Sequence, residues 1–191
     1  MRRRTIGILG NAARAGVILP AYVTDAAVAV GQEVARAGHV LLSGGTGGTM
    51  EAACQGAQQA GGLTVGFLPQ GDFEFANPYV DLVFPTGLGT VRNFLTARCA
   101  DAVVVVGGGV GTLNEITIAY DAGVPIVIVN DTGGWSERLG SILIEGKWLD
   151  ERRVTEVTFA ATAAEAVAIA EARFGQRRQD GLTAMIGAAG E

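Results

Sequence analysis

The chain has 191 residues, 49% of them hydrophobic and 17% charged, with 29 glycines, 2 cysteines and a formal net charge of −5. A chain of this length buries roughly 70% of its unfolded surface around one core, so neither a structural metal nor a disulfide is expected; Cys54 and Cys99 also lack metal-ligand spacing and fit a reducing compartment. The acidic balance argues against nucleic acid as the main partner, because the field of the whole molecule repels a polyanion.

The start, Met1-Arg2-Arg3-Arg4, is basic but runs into a short strand-like segment rather than the apolar stretch of a signal peptide. The uncharged window 52 to 71 is interrupted by Gln55, Gln58, Gln59, Gly61, Gly62, Pro69 and Gln70, so no bilayer span is expected and the location is expected to be cytoplasmic. Apolar β-branched runs predict strands at 5 to 9, 39 to 43, 63 to 68, 80 to 84, 101 to 106, 124 to 129 and 154 to 159. Helices fit between them at 21 to 37, 49 to 60, 90 to 100, 111 to 122, 136 to 144 and 162 to 174, with Gly38, Gly61 and Gly123 as stops. This alternation predicts an α/β fold, a Rossmann-like doubly wound parallel sheet of about seven strands with helices on both faces. One domain is expected over 1 to 175, followed by a flexible tail over 176 to 191.

Reactive side chains are scarce, which removes several enzyme classes. The only lysine, Lys147, lies in IEGKW late in the chain, so a GxxxxGK[ST] phosphate loop has no residue to carry it and a Schiff-base role is disfavoured. None of Ser43, Ser136 and Ser141 stands in a GxSxG elbow, and His39 reads as a residue at the entrance of a buried strand. No metal site is expected.

Glycine concentrates where such a sheet binds ligands, at the carboxyl ends of its strands. Three connections are unusual: Gly10 to Arg14, Ser43 to Thr49, and Gly107 to Thr112. Amides opening onto a helix N-terminus form an anion site, so Gly108, Gly109, Val110, Gly111 and Thr112 are candidate phosphate ligands, with Gly44, Gly45, Thr46 and Gly48 as a second set. Pure turn geometry remains the alternative for both loops. Neither loop has the GxGxxG spacing of a dinucleotide site, although Asp131 stands where an acid could take a ribose hydroxyl.

Glu115 lies in the first turn of the helix behind the 107 to 112 loop. Thr112-x-x-Glu115 also reads as a capping box, and Thr162-x-x-Glu165 repeats the spacing with no glycine loop in front of it. Arg92 follows the connection after the fourth strand and borders the same crevice, whereas Arg98 falls about 240° away on the helical wheel and reads as an ion-pair residue. Arg14 is a weaker candidate. The aromatics of the 70 to 79 loop and Trp135 could form a lid, a subunit contact or a site wall. Ala52, Ala53, Gly56 and Ala57 allow close packing of their helix against the sheet or another subunit.

The segment VVGGGVGTLNE, 105 to 115, with Arg92 upstream and SGGTGGTME at 43 to 51, resembles the LOG ("lonely guy") cytokinin-activating phosphoribohydrolases of the SLOG superfamily. The resemblance covers roughly residues 5 to 130. It implies a Rossmann-like homodimer or homotetramer that hydrolyses a nucleoside 5′-monophosphate to free base and ribose 5-phosphate, with no cofactor required. It also implies that Arg92 and Glu115 are catalytic, that Gly108 to Thr112 hold the phosphate, and that Asn93 stands beside the arginine where the family usually has lysine. Gly107 replaces the usual proline, and Thr49 and Glu51 depart from the second loop's pattern. With GGLTVGFLP and ANPY at 61 to 69 and 76 to 79, these departures look closer to the branch of molybdenum-cofactor carrier proteins, for which molybdenum cofactor would be the bound ligand. Family members are often labelled lysine decarboxylases; the single lysine speaks against a pyridoxal enzyme here.

Overall fold

The computed structural model describes residues 2–13, 16 and 18–176; Arg14 and residues 177–191 of the expected tail lie outside them. Seven strands, β1 (Thr5–Gly10), β2 (Val40–Ser43), β3 (Leu63–Leu68), β4 (Leu82–Pro85), β5 (Ala102–Val106), β6 (Ile126–Val129) and β7 (Val157–Ala160), make one sheet in the order β4-β3-β2-β1-β5-β6-β7. Every pairing is parallel, as the continuous apolar runs predicted. The helices are α1 (Ala21–Arg36), α2 (Thr49–Gln59), α3 (Asn93–Cys99), α4 (Val110–Asp121), α5 (Trp135–Arg138) and α6 (Ala163–Ala172).

Side chains alternate across the central strands with period two. Ile6, Ile8, Val104, Val106 and Val127 point into a core roofed by α1, α2 and α6; Leu9, Val103, Val105, Ile126 and Ile128 point into a second core roofed by α3, α4 and α5. The small residues of α2 serve the first core: a Cβ on Gly56 would stand 2.1 Å from the Val28 carbonyl oxygen of α1, so the two helices meet backbone to backbone.

Several boundaries differ from expectation for local reasons. The fourth strand starts at Leu82 rather than 80, because Asp81 turns its carboxylate onto the Thr64 amide while the Thr64 hydroxyl bonds back to the 79–81 segment. The expected 90 to 100 helix is a 3-10 turn, Gly89–Arg92, followed by α3; Gly89 has φ of 54°, which starts that turn outside helical backbone. The 136 to 144 helix stops at Arg138 and passes into a 3-10 turn, Leu139–Ser141.

Among the described residues, no helix covers one corner of the sheet. Leu82 and Phe84 of β4 pair in register with Val65 and Phe67 of β3 and point toward the second core's side, yet they remain about half exposed. The Phe67 and Phe84 rings lie 5.4 Å apart, and Leu88, Val91 and Phe94 continue the apolar surface onto the turn and α3.

Candidate functional site

The strand order reverses between β1 and β5, whose carboxyl ends are Gly10 and Val106, so the crevice of this fold opens there. Asn11, the first residue after β1, builds the crevice floor. Its side-chain oxygen accepts the Gly108 amide at 2.7 Å, its carbonyl accepts the Thr49 amide at 2.9 Å, and its own amide donates to the Thr49 hydroxyl at 3.1 Å. One residue thus ties together all three glycine-bearing connections. From the other side the segment after β6 braces the 107 to 109 turn, where Thr132 accepts the Gly107 amide and the Trp135 and Ser136 amides donate to the carbonyls of Gly108 and Gly107.

Above this floor lies a cavity of about 260 Å³. Arg92, Asn93, Gly109, Gly111, Thr112 and Glu115 line it together with Gly10, Asn11, Ala12, Leu19 and Met50. Intrahelical bonding in α4 begins where the Leu113 amide reaches the Gly109 carbonyl, so the amides of Gly109, Val110 and Gly111 head the helix without helical partners. The first turn of α4 carries no acidic residue, so no carboxylate there offsets the positive end of its dipole.

Opposite this end the Arg92 Nη1 lies 3.2 Å from Glu115 Oε1 and 3.4 Å from the Thr96 hydroxyl, which itself lies 2.6 Å from the same Oε1. Side-chain exposure is only 9% for Arg92 and 10% for Glu115. Burial pushes the Glu115 carboxyl up from its ordinary value, against the pull of the Thr96 hydroxyl and the Arg92 charge. Burial likewise lowers Arg92 against the opposing attraction of Glu115. Such a pair does little for stability, since desolvation offsets most of the Coulomb attraction, and Arg92 Nε is buried with no partner among the described residues.

The capping-box alternative for Glu115 is corrected here. Gly109 is the N-cap of α4, no side chain caps it, and the Thr112 hydroxyl donates instead to the Gly10 carbonyl at 2.9 Å. At the other Thr-x-x-Glu, the Glu165 amide donates to the Thr162 hydroxyl and the Glu165 carboxylate accepts the Ala161 amide, which is capping in fact.

Half of the expected site residues line the cavity and half do not. Gly108 is turned inward by Asn11, and Val110 points to solvent with 73% exposure. The 43 to 49 loop supports the wall from outside: Gly44 lies against the Arg92 guanidinium and the Met50 sulfur, Gly45 packs on Leu68 and Gly66, the Thr46 carbonyl accepts the Asn77 side chain, and Gly48 pairs with Ala12. Asn93 donates to the Asn114 side chain at 2.9 Å. Trp135 packs into the second core and is not part of the cavity wall, while Phe73 and Phe75 are exposed. Arg98 sits over the Phe94 ring, Lys147 lies 3.7 Å from Glu156 away from the cavity, and His39 meets Glu171 at the opposite, amino-terminal end of the sheet. Sequence reasoning missed Thr96, Met50 and the role of Asn11; only Asn11, placed directly after β1, carried a readable signal.

Among the described residues no group of three or more His, Cys, Asp or Glu could hold a metal ion, and no helix is long and apolar enough to cross a membrane.

The fold defines a Rossmann-like α/β protein with a cavity at its switch point, and comparison with known proteins supplies the family. The sequence model of the SLOG cluster4 family matches residues 3–167, and the chain belongs to that family. Among solved structures, a Northeast Structural Genomics Consortium target is 37% identical with a TM-score of 0.83, covering 88% of this chain and 99% of its own. The molybdenum cofactor binding protein of Rippkaea orientalis is 31% identical with a TM-score of 0.76, over 90% of this chain and 98% of that one. The molybdenum cofactor carrier protein of Chlamydomonas reinhardtii is 32% identical with a TM-score of 0.72, over the same shares. A cytokinin riboside 5′-monophosphate phosphoribohydrolase of Mycobacterium tuberculosis is 33% identical over 122 residues, 59% of this chain, and an uncharacterized Archaeoglobus fulgidus protein is 44% identical over 94 residues, 49% of this chain. The matches span 65% and 62% of the length of these two curated relatives.

Proposed function

We propose that the protein hydrolyses the N-glycosidic bond of a nucleoside 5′-monophosphate, releasing free base and ribose 5-phosphate. The observation that carries this reading is the 3.2 Å approach of Arg92 to Glu115 in a cavity headed by the free amides of α4. The amides of 109 to 111 hold the phosphate and Arg92 fixes the nucleotide beside it. Cleavage develops oxocarbenium charge on the ribose, which the Glu115 carboxylate stabilises while it orients the ribose hydroxyls or the attacking water. No metal or organic cofactor enters this scheme.

A second reading has its own support in the two molybdenum cofactor proteins, which match nine-tenths of this chain. Under it the protein is a carrier whose cargo, molybdenum cofactor, ends in a phosphate and rests it on the same amides. Gly109 and Gly111 suit such a group, since a Cβ on either would meet nothing within 4 Å. Mass spectrometry of what copurifies, followed by incubation with a panel of monophosphates and with purified cofactor, separates the two. Release of base establishes the hydrolase; cofactor retention with every monophosphate left intact establishes the carrier and overturns the first reading.

We further propose that a second copy of the chain covers the open corner of the sheet in a cytoplasmic homodimer or homotetramer. A parallel sheet is ordinarily covered on both faces. Leu82, Phe84, Leu88, Val91 and Phe94 are each about half or more exposed. Together they offer on the order of 400 Å² of apolar surface, half of what one partner contributes to a stable interface.

A further inference from the structure

Glu115 has two carboxylate oxygens, and the hydrogen bonds it receives from the described residues fall on one of them. Arg92 Nη1 at 3.2 Å and the Thr96 hydroxyl at 2.6 Å both converge on Oε1, and no bond from the described residues reaches Oε2. Thr96 is fully buried on the first turn of α3, where its hydroxyl also lies 3.0 Å from the Asn93 carbonyl. A hydroxyl has one proton, and a carboxylate oxygen at 2.6 Å is a stronger acceptor than a carbonyl at 3.0 Å. Once donated, that proton leaves the Thr96 oxygen free to accept from Arg92 Nη1 at 3.4 Å, so guanidinium, hydroxyl and carboxylate form one polarised chain.

We propose that Thr96 is a positioning residue: it claims Oε1 of Glu115 and so reserves Oε2 for a ligand hydroxyl or water in the adjoining cavity. The consequence for chemistry is specific. A carboxyl group whose Oε1 takes two donors offers Oε2 as the acceptor for a ligand hydrogen bond or for positive charge. Arg92 is the only charged side chain acting on Glu115 among the described residues, and the Thr96 hydroxyl is the other group that opposes the upward push of burial on the carboxyl. The identity of the group on Oε2 rests on the phosphoribosyl reading above; the hold on Oε1 does not.

The test compares wild type with Thr96→Val, which keeps the shape and removes the hydroxyl, and Thr96→Ser, which restores it. Carbon-13 NMR of labelled free protein follows the Glu115 carboxyl through its titration, its resonance assigned with Glu115→Gln. Loss of one hydrogen bond to a charged group predicts a titration midpoint about one unit higher in Thr96→Val, with Thr96→Ser at the wild-type value. A Thr96→Val midpoint equal to wild type overturns the proposal. Calorimetry then separates ligand from positioning. Thr96→Val is expected to weaken ribose 5-phosphate about tenfold while inorganic phosphate binds as in wild type. Equal weakening of both probes in a folded Thr96→Val also overturns it, because the hydroxyl would then act on the phosphate cradle. Wild type that binds neither probe, with the midpoint shift intact, rejects the phosphoribosyl reading and leaves the Oε1 hold standing.

Discussion

The backbone of Gly44 lies against the guanidinium of Arg92: a Cβ at that position would stand 2.7 Å from Nη1 and 2.9 Å from Nη2. A glycine in the second-strand loop therefore sets where the arginine of a different segment sits. Gly44→Ala is expected to fold, because the Met50 sulfur that the methyl also meets ends a flexible side chain, but to push Arg92 off Glu115. Ribose 5-phosphate affinity should fall on the order of tenfold, about 1.4 kcal/mol, with little change in Tm. Calorimetry alongside a thermal melt checks both halves.

Glu115→Gln keeps the size of the side chain, removes its charge and turns one acceptor oxygen into an amide donor. If base is released from a monophosphate, this change should lower kcat by about 10² to 10⁴ while nucleotide binding persists. Chromatography of reaction products against a binding isotherm makes the comparison, and unchanged turnover would remove Glu115 from the mechanism.

Neighbouring glycines of the 107 to 112 loop should respond oppositely to the same substitution. At Gly108, with φ of 114°, a Cβ would stand 2.6 Å from the Thr112 methyl, so Gly108→Ala is expected to cost about 1 to 3 kcal/mol of stability. At Gly109 a Cβ meets nothing within 4 Å, so Gly109→Ala should melt like wild type. Its methyl stands at the edge of the anion site and should weaken inorganic phosphate.

Away from the site, Asp101 anchors the amino-terminal edge of the sheet. Partial burial pushes its carboxyl up, but hydrogen bonds from Arg2, the Thr5 amide and Arg4, with the charge of Arg2, hold it down at about 2. A depressed carboxyl contributes stability that is present above its unfolded value near 3.9 and is lost as pH falls toward 2. Asp101→Asn should therefore lower Tm at pH 7, and its deficit should shrink across pH 4 to 2. A deficit that stays constant with pH would disprove the ionic origin.

The open corner makes a prediction about assembly. Phe84→Asp or Phe94→Asp places a charge in the apolar surface and should shift the protein to monomer by sedimentation, without loss of the fold. Wild type that already sediments as a monomer at micromolar concentration would reject a second copy as the cover.

Much of this architecture was readable from residue order. The β-branched runs gave all seven strands, because strands buried on both faces tolerate little else. That Arg92, Glu115, Gly109, Gly111 and Thr112 border one crevice was legible because helix termini and glycine turns at strand ends are local features. What stayed hidden depends on contacts across the chain. Thr96 is an unremarkable threonine until α3 packs on α4 and brings it within 2.6 Å of Glu115. Thr112-x-x-Glu115 and Thr162-x-x-Glu165 are alike in sequence, yet only the second caps, because the Gly10 carbonyl captures the Thr112 hydroxyl. The role of Gly44 emerges only when its loop meets the segment that carries Arg92.

Asn11 fastens the loops after β1, β2 and β5 with one side chain and its own backbone. Opening these loops would break all three bonds together, at roughly 0.5 to 1.5 kcal/mol each, so they are expected to hold their places when a ligand arrives. A mould cast in advance is expected to select a guest by its outline more than by closing around it.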